Sequence, residues 1–486
     1  MKAPILVTKS VKKFCKLYKK ILFLGASVVT IAIKINLCDF NLFLKISMLT
    51  KKNAKQMKKL LLLSCIVAVC ATFTACDSES DIEKKPGSSV LAQKTYPEPS
   101  GEYNSWTEIS LDAESAASAV NANKFAFNIF RTATISSSGD DNMAISPLSI
   151  LTSLSMLANG DDGESRDDVL GLLGYDGGSD NLSKLNRFAG IMLSELPKVD
   201  GRTMCRFTNS IWHSPGLKLH AGFRDVLTKT YDSEDIPISP AGISGMDSIN
   251  KWVSRYTEGN IRQFMKKPAE NDMAVVNAVH FYSKWTTKFN KEKTREQDFR
   301  NIDNSISTVP TMHGKYPRTS YVDNGEMEMV SMSLGNSNFQ MLAILPDIDR
   351  DFNEFVKSFS FSKFNNALNN METKTVELAF PKFMSKGEMN LLETLKSSGL
   401  DKAAYNGFNS MTDSKTVFNI TGMLHAVNVT VDEDGVVASA ATSTSFGTSA
   451  GDISEPIPMT FNRPFIYLIR ETSTGTILFI GKVTKL

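Results

Sequence analysis

Val431-Asp432-Glu433-Asp434-Gly435-Val436-Val437-Ala438-Ser439-Ala440-Ala441-Thr442-Ser443-Thr444-Ser445-Phe446-Gly447-Thr448-Ser449-Ala450-Gly451 is the stretch on which the reading of this chain turns. After the acidic cluster, the seventeen residues 435–451 hold no charge and no proline. Ordinary exposed connections are punctuated by such residues. Proline would delete a ladder donor, so its absence leaves the segment able to pair as a β-strand. Strand side chains alternate with period two. One face then carries Val436, Ala438, Ala440, Thr442 and Thr444, and the other Val437, Ser439, Ala441, Ser443 and Ser445. All are small or β-branched, so burial desolvates no charge. Gly435 opens the run with dihedrals closed to other residues. The segment reads as a loop that can become a strand. An apolar stretch follows, Phe461-Asn462-Arg463-Pro464-Phe465-Ile466-Tyr467-Leu468-Ile469-Arg470-Glu471. Strands 465–471 and 476–483, joined through Thr474-Gly475, are expected to form a C-terminal hairpin.

The other end of the chain reads as a leader. Met57-Lys58-Lys59 precedes an apolar run over 60–75, and Phe73-Thr74-Ala75-Cys76 closes it. A basic start, a short apolar core and small residues before a cut mark a secretory signal. Cysteine at the cut suggests a bacterial lipoprotein lipidated at Cys76, because the run falls short of the ~20 residues of a spanning helix. Residues 1–56 are then an upstream extension, 57–76 the signal peptide and 77–108 a flexible polar tether to one domain over 109–486. Residues 1–76 carry +13 (14 lysines against one aspartate) of a chain whose net charge is +2, leaving −11 for 77–486. An acidic body argues against a nucleic-acid partner. Asp77, Glu79 and Asp81 resemble surface-export signals of some bacterial lipoproteins, from which the domain is expected at the cell envelope, outer-membrane-anchored and surface-exposed, or extracellular; Asp77 directly after the cysteine reads alternatively as retention in the inner membrane. Of six cysteines only Cys205 lies in the body, so neither an internal disulfide nor a paired-cysteine metal site is expected there.

Between these ends the pattern is α+β. Helical spacing over 121–132 places Phe125, Phe127, Ile129 and Phe130 on one side. Ser146-Pro147 is a helix start with a capping serine and proline at the first position. Ser165 with Asp168 is expected to cap a helix running to Leu173. A further amphipathic helix is expected over 249–264. Residues 274–289, 339–346 and 376–380 read as strands, as does the alternating segment 420–431.

Four separated segments resemble the serpin family. Asn142-Met143-Ala144-Ile145-Ser146-Pro147-Leu148-Ser149-Ile150 is similar to its early helix start. Val276-Asn277-Ala278-Val279-His280-Phe281-Tyr282-Ser283-Lys284-Trp285 is similar to its strand-to-turn element. Residues 431–442 resemble its reactive-loop hinge, and 461–483 its C-terminal signature. The resemblance covers roughly 110–486. It implies the serpin fold, with three β-sheets, about eight or nine helices and an exposed reactive-centre loop over 433–460. It also implies a monomeric suicide inhibitor that acts without a cofactor. A target protease attacks the loop, an acyl-enzyme forms, and the cut loop inserts as a new central strand that distorts the protease.

The resemblance further assigns the hinge to Glu433, Gly435, Val436, Val437, Ala438, Ser439, Ala440, Ala441 and Thr442. It assigns a polar cluster that holds the sheet closed, the shutter, to Ser146, Ser149, Asn277 and His425. It places the breach, where insertion begins, at Trp285 and Thr294. Val437 departs from the pattern, since inhibitory members usually carry an acidic residue there. Counting from the hinge sets the scissile bond at Ser449–Ala450, whereas counting back from Phe461 gives Ile453. No Lys or Arg lies between Gly435 and Asn462, so trypsin-like enzymes find no partner for an acidic pocket. Small residues favour elastase-like or subtilisin-like serine proteases, Phe446 would favour chymotrypsin-like ones, and a papain-like cysteine protease is a further partner class.

An enzyme is not expected. His213, His220, His280, His313 and His425 show no metal spacing. Gly447-Thr448-Ser449-Ala450-Gly451 matches a nucleophile elbow in letters only, because no histidine follows His425. The alternative is a non-inhibitory member, a binding or structural surface protein whose loop is merely a substrate. Such members tend toward bulky or charged residues where this chain has Ala438 to Ala441.

Overall fold

The computed structural model describes residues 107–136, 140–414, 416–436 and 455–486. The expected leader, Cys76 and nearly all of the tether lie outside the described residues, as do Val437, Ala438, Ser439, Ala440, Ala441, Thr442, Ser449 and Ala450 of the loop.

Ten α-helices occur among the described residues. They are α1 Ala113–Ser136, α2 Pro147–Ala158, α3 Glu164–Leu172, α4 Ser179–Glu195, α5 Ala221–Lys229, α6 Gly242–Tyr256, α7 Phe352–Ser358, α8 Phe361–Asn369, α9 Leu392–Ser397 and α10 Lys402–Asn406. The strands are β1 Met143–Ile145, β2 Thr203–His213, β3 Glu234–Ile236, β4 Met273–Lys284, β5 Arg295–Arg300, β6 Ile306–Asp323, β7 Met327–Leu334, β8 Phe339–Pro346, β9 Glu372–Pro381, β10 Phe383–Asn390, β11 Leu424–Val431, β12 Gly435–Val436, β13 Ile457–Thr460, β14 Phe465–Glu471 and β15 Ile477–Val483.

The class is α+β, but among the described residues hydrogen bonding joins the strands into two sheets rather than three. One runs β10-β11-β12-β4-β2-β3, and the other runs β1-β15-β14-β8-β7-β6-β9-β13 with β5 on β6. The merger happens at β6, whose register on β9 shifts between Tyr316 and Thr319. Arg318 there has a left-handed φ of 57°. The bend lets one long strand pair with β5 at its start, with β9 on both sides of the bend and with β7 at its end. The extra helix over the expected eight or nine is accounted for by short ones such as α9 and α10, too brief to leave a periodic signal.

Two expected helices differ at their boundaries and two expected caps are made differently. The helix expected at 249–264 is α6, which starts seven residues earlier and stops at Tyr256. It ends because Glu258 and Gly259 both take positive φ. Helix α3 begins at Glu164, before Ser165, and Asp161 rather than Ser165 supplies the cap. The Asp161 carboxylate accepts from the amides of Gly163, Ser165 and Arg166 at 3.1–3.2 Å. At Ser146 the side chain makes no capping bond, and proline alone marks the start of α2.

Helix α2 is apolar nearly all round and lies buried between β4 and β15. Helix α6 covers the outer face of the six-stranded sheet. Its Ile249, Trp252 and Val253 form a separate core with Trp212 of β2 and Val276 and Ala278 of β4. Trp212 and Trp252 meet edge to face at 6.4 Å. The inner face of the sheet belongs to the main core, which takes in Phe281, Val427, Val429 and Val431.

Candidate functional site

The chain leaves β11 through a tight turn, Asp432-Glu433-Asp434, and returns as β12. This two-residue strand lies between β11 and β4 and is antiparallel to both. Val436 pairs with Val431 on one side and with Ser283 on the other, and Gly435 pairs with Lys284. Val436 is fully buried. Gly435 is required less for flexibility than for close approach. A Cβ there would stand 2.2 Å from the Ser283 carbonyl oxygen and 2.6 Å from Lys284 Cα.

Charged and aromatic groups fix the turn. The buried Glu433 carboxylate accepts from Thr294 Oγ1 and Lys382 Nζ, each at 2.8 Å. Burial pushes that carboxyl up, but the bonds from Lys382, from its own amide and from Thr294 outweigh this and hold it below the usual range. Asp434 lies between Lys288 Nζ at 2.8 Å and Lys291 Nζ at 2.6 Å, and both hold its carboxyl low. The Trp285 indole donates to the Asp432 carbonyl at 2.7 Å, and its amide donates to the Asp434 carbonyl at 3.1 Å. Trp285, Thr294, Glu433, Gly435 and Val436 are thus one contiguous site. Lys382, Lys288 and Lys291 complete it and were not singled out in the sequence, because an isolated lysine beyond a strand end carries no pattern. Exchanging Lys382 for methionine leaves a buried carboxylate without its cation. We expect a stability loss of about 2 kcal/mol in urea unfolding, reversed when Glu433→Gln is added; equal losses in single and double variants would show that the pair is not coupled.

Below β12, β4 and β11 share no ladder among the described residues. Their far ends bound a cavity of about 450 Å³. Ser149, Asn277 and His425 of the polar cluster line its wall. The Ser146 amide donates to His425 Nε2 at 3.0 Å, which fixes the imidazole proton on Nδ1. Ser149 Oγ donates to Asn277 Oδ1, and Asn277 Nδ2 donates to Asn209 Oδ1 at 2.6 Å. Asn209 in turn holds the Tyr231 carbonyl at 2.8 Å. Asn209 is a member that sequence reading missed. Ser146 enters through its backbone, and its buried hydroxyl has no hydrogen-bond partner.

Burial pushes the His425 imidazole down to about 4 from 6.5. The native state therefore binds fewer protons than the unfolded chain between those values, and stability rises with pH across the window. The contribution is complete above about pH 6.5 and is lost as pH falls toward 4, for a total of roughly 3 kcal/mol. Urea unfolding at pH 7.5 and 4.5 checks this, with His425→Asn expected to flatten that share of the slope.

Among the described residues no three His, Cys, Asp or Glu side chains are placed to hold a metal ion. Cys205 is fully buried, and desolvation pushes its thiol up, away from the reactive thiolate.

The serpin (serine protease inhibitor) sequence pattern matches residues 120–486. This chain belongs to the serpin family. It is similar to alpha-1-antiproteinase of Rattus norvegicus, at 28% identity over 368 residues, covering 74% of this chain and 87% of that one. Among solved structures, the native state of the thermophilic serpin tengpin superposes with a TM-score of 0.68 at 27% identity, over 78% of this chain and 96% of that one. Human thyroxine-binding globulin gives the same TM-score at 23% identity, over 77% and 99%, and attests the fold. Serpins are in general protease inhibitors rather than enzymes, and a member named for binding thyroxine shows that the fold also serves other ends.

Proposed function

We propose that this serpin is an irreversible suicide inhibitor of serine proteases of elastase-like or subtilisin-like preference, trapping the acyl-enzyme by inserting its cut loop between β4 and β11. The observation that carries this reading is the geometry of those two strands. They are bridged at one end by the hinge strand β12 and share no ladder below it. Among the described residues both present unpaired edges, on which a continued β12 would gain hydrogen bonds on two sides. The residues that would follow, from Val437 to Ser445, are all small or β-branched and uncharged. With no Lys or Arg from Gly435 to Asn462, trypsin-like targets are disfavoured. Anchoring through a lipid on Cys76, at the outer surface of the cell envelope, would make the domain a guard against external proteases.

Residues 77–486 incubated with elastase, subtilisin, chymotrypsin, trypsin and papain, then boiled in SDS, should give a covalent band near the summed mass with elastase or subtilisin and none with trypsin. Cleavage by every protease without a stable complex would sink the inhibitory reading. Protease shaving of intact cells tests the location. If the domain survives while surface controls are lost, it is not displayed outside.

A further inference from the structure

We infer that Phe446 is the anchor of the inserted strand, its ring seated in the cavity between the far ends of β4 and β11. This rests on the insertion reading above and extends it to one residue that the hinge pattern leaves without a role. The position follows from two registers that agree. On β4, Gly435 faces Lys284 and Val436 faces Ser283. Continued antiparallel, the same ladder sets Thr442 against Asn277 and Phe446 against Met273, the first residue of β4. On β11, Val436 faces Val431. Continued, that ladder sets Thr442 against His425, and Phe446 falls opposite Thr421, three residues before β11 begins. Asn277, His425, Met273 and Thr421 all line the same cavity, so both neighbours bring the loop to one place.

The face is set by Val436, which points into the main core with Val427, Val429 and Val431. Alternation sends Ala438, Ala440, Thr442, Thr444 and Phe446 to that same side. Ala438 and Ala440 meet the packed inner face of the sheet beside Phe281, Val279, Val429 and Val427, whereas Thr442 and Thr444 run along the cavity wall, opposite Asn277 and His425 and then Val275 and Met423. Phe446 arrives at the far end of that cavity. Leu157, Met273, Phe408, Met411, Phe418 and Met423 supply an apolar lining there. A cavity of about 150 Å³ already holds a benzene molecule, so about 450 Å³ admits a strand end together with a phenyl ring. The loop's one aromatic residue therefore falls within the stretch of the path that has room for it. On this reading Phe446 is not the residue a chymotrypsin-like enzyme reads, and the scissile bond lies beyond it.

The test compares heat resistance before and after cleavage. Wild-type and Phe446→Ala proteins, residues 77–486, are nicked with subtilisin or elastase, and the mass of the released C-terminal peptide locates the cut. The intact forms should melt alike. The cut Phe446→Ala form should melt roughly 5–10 °C below the cut wild type, with several-fold more inhibitor consumed per trapped protease. Phe446→Leu should recover most of both. In Phe446→Trp, cleavage should shift the emission to the blue beyond the change seen in wild type. If the cut wild type gains heat resistance and Phe446→Ala gains the same amount, the anchor is wrong while insertion stands. If the cut falls before Phe446, the anchor is likewise excluded. If the cut wild type gains no heat resistance, insertion itself fails, and the anchor with it.

Discussion

If the cut loop inserts as proposed, a glutamate in place of Ala440 converts the protein from a trap into a substrate. The β12 register, continued, sets Ala440 against Val279 of β4 and Val427 of β11, on the face that turns into the main core. Burying an unpaired carboxylate there costs several kcal/mol. Trapping is a race between insertion and hydrolysis of the acyl-enzyme, so the cost acts on a ratio of rates. If only about 1.4 kcal/mol of it is felt in the insertion barrier, insertion slows tenfold. The loop is still cut, because residue 440 lies well short of the expected scissile bond at Ser449. Titration of a fixed amount of elastase or subtilisin should therefore need more than about ten equivalents of Ala440→Glu where wild type needs close to one. Ala440→Val, uncharged and β-branched, should behave as wild type. One-to-one trapping by the glutamate variant would mean that this segment does not enter the sheet during inhibition.

What the sequence made legible was periodic or idiosyncratic in composition. The C-terminal hairpin, expected at 465–471 and 476–483, is found at Phe465–Glu471 and Ile477–Val483, because two continuous apolar runs flank the Thr474-Gly475 turn. Strand β4 was expected from the run that begins at Ala274. The charge-free loop stood out because surface segments of that length rarely lack charge. What stayed hidden depends on the chain meeting itself at long range. Lys382 reaches Glu433 across 51 residues, and Asn209 reaches Asn277 across 68. Neither contact leaves a local trace. The merging of two sheets through β6 is decided by a bend at Pro317-Arg318 that reads locally as an ordinary interruption. Ser146 was read as a side-chain cap, yet it acts through its backbone amide on His425. A helix-start motif gives the position of the serine and not which of its atoms is used.

The same gap between pattern and contact sets the outcome expected for Gly435→Val. Read from sequence, Gly435 is a flexible joint, and valine there would mainly stiffen it. In the structure the α-carbon passes so close to β4 that a side chain meets main-chain atoms, the Ser283 oxygen at 2.2 Å and Lys284 Cα at 2.6 Å. Backbone in a buried strand cannot swing aside as a long side chain can. Strand β12 must leave its place, and Val436, now buried, goes with it. Exposing that valine costs about 1.5–3 kcal/mol, and the ladder bonds on either side are lost besides. Stability in urea should fall by about 2–4 kcal/mol. The Glu433–Lys382 and Trp285–Asp432 contacts lie on the other side of the hinge residue and need not break. Amide exchange should therefore accelerate at Ser283, Lys284 and Val436 while the Trp285 indole remains protected. A Gly435→Val protein as stable as wild type would show that β12 is not held between β4 and β11. Loss of protection at both places would show that hinge and turn unfold as one unit, with Gly435 as its weakest point rather than its boundary.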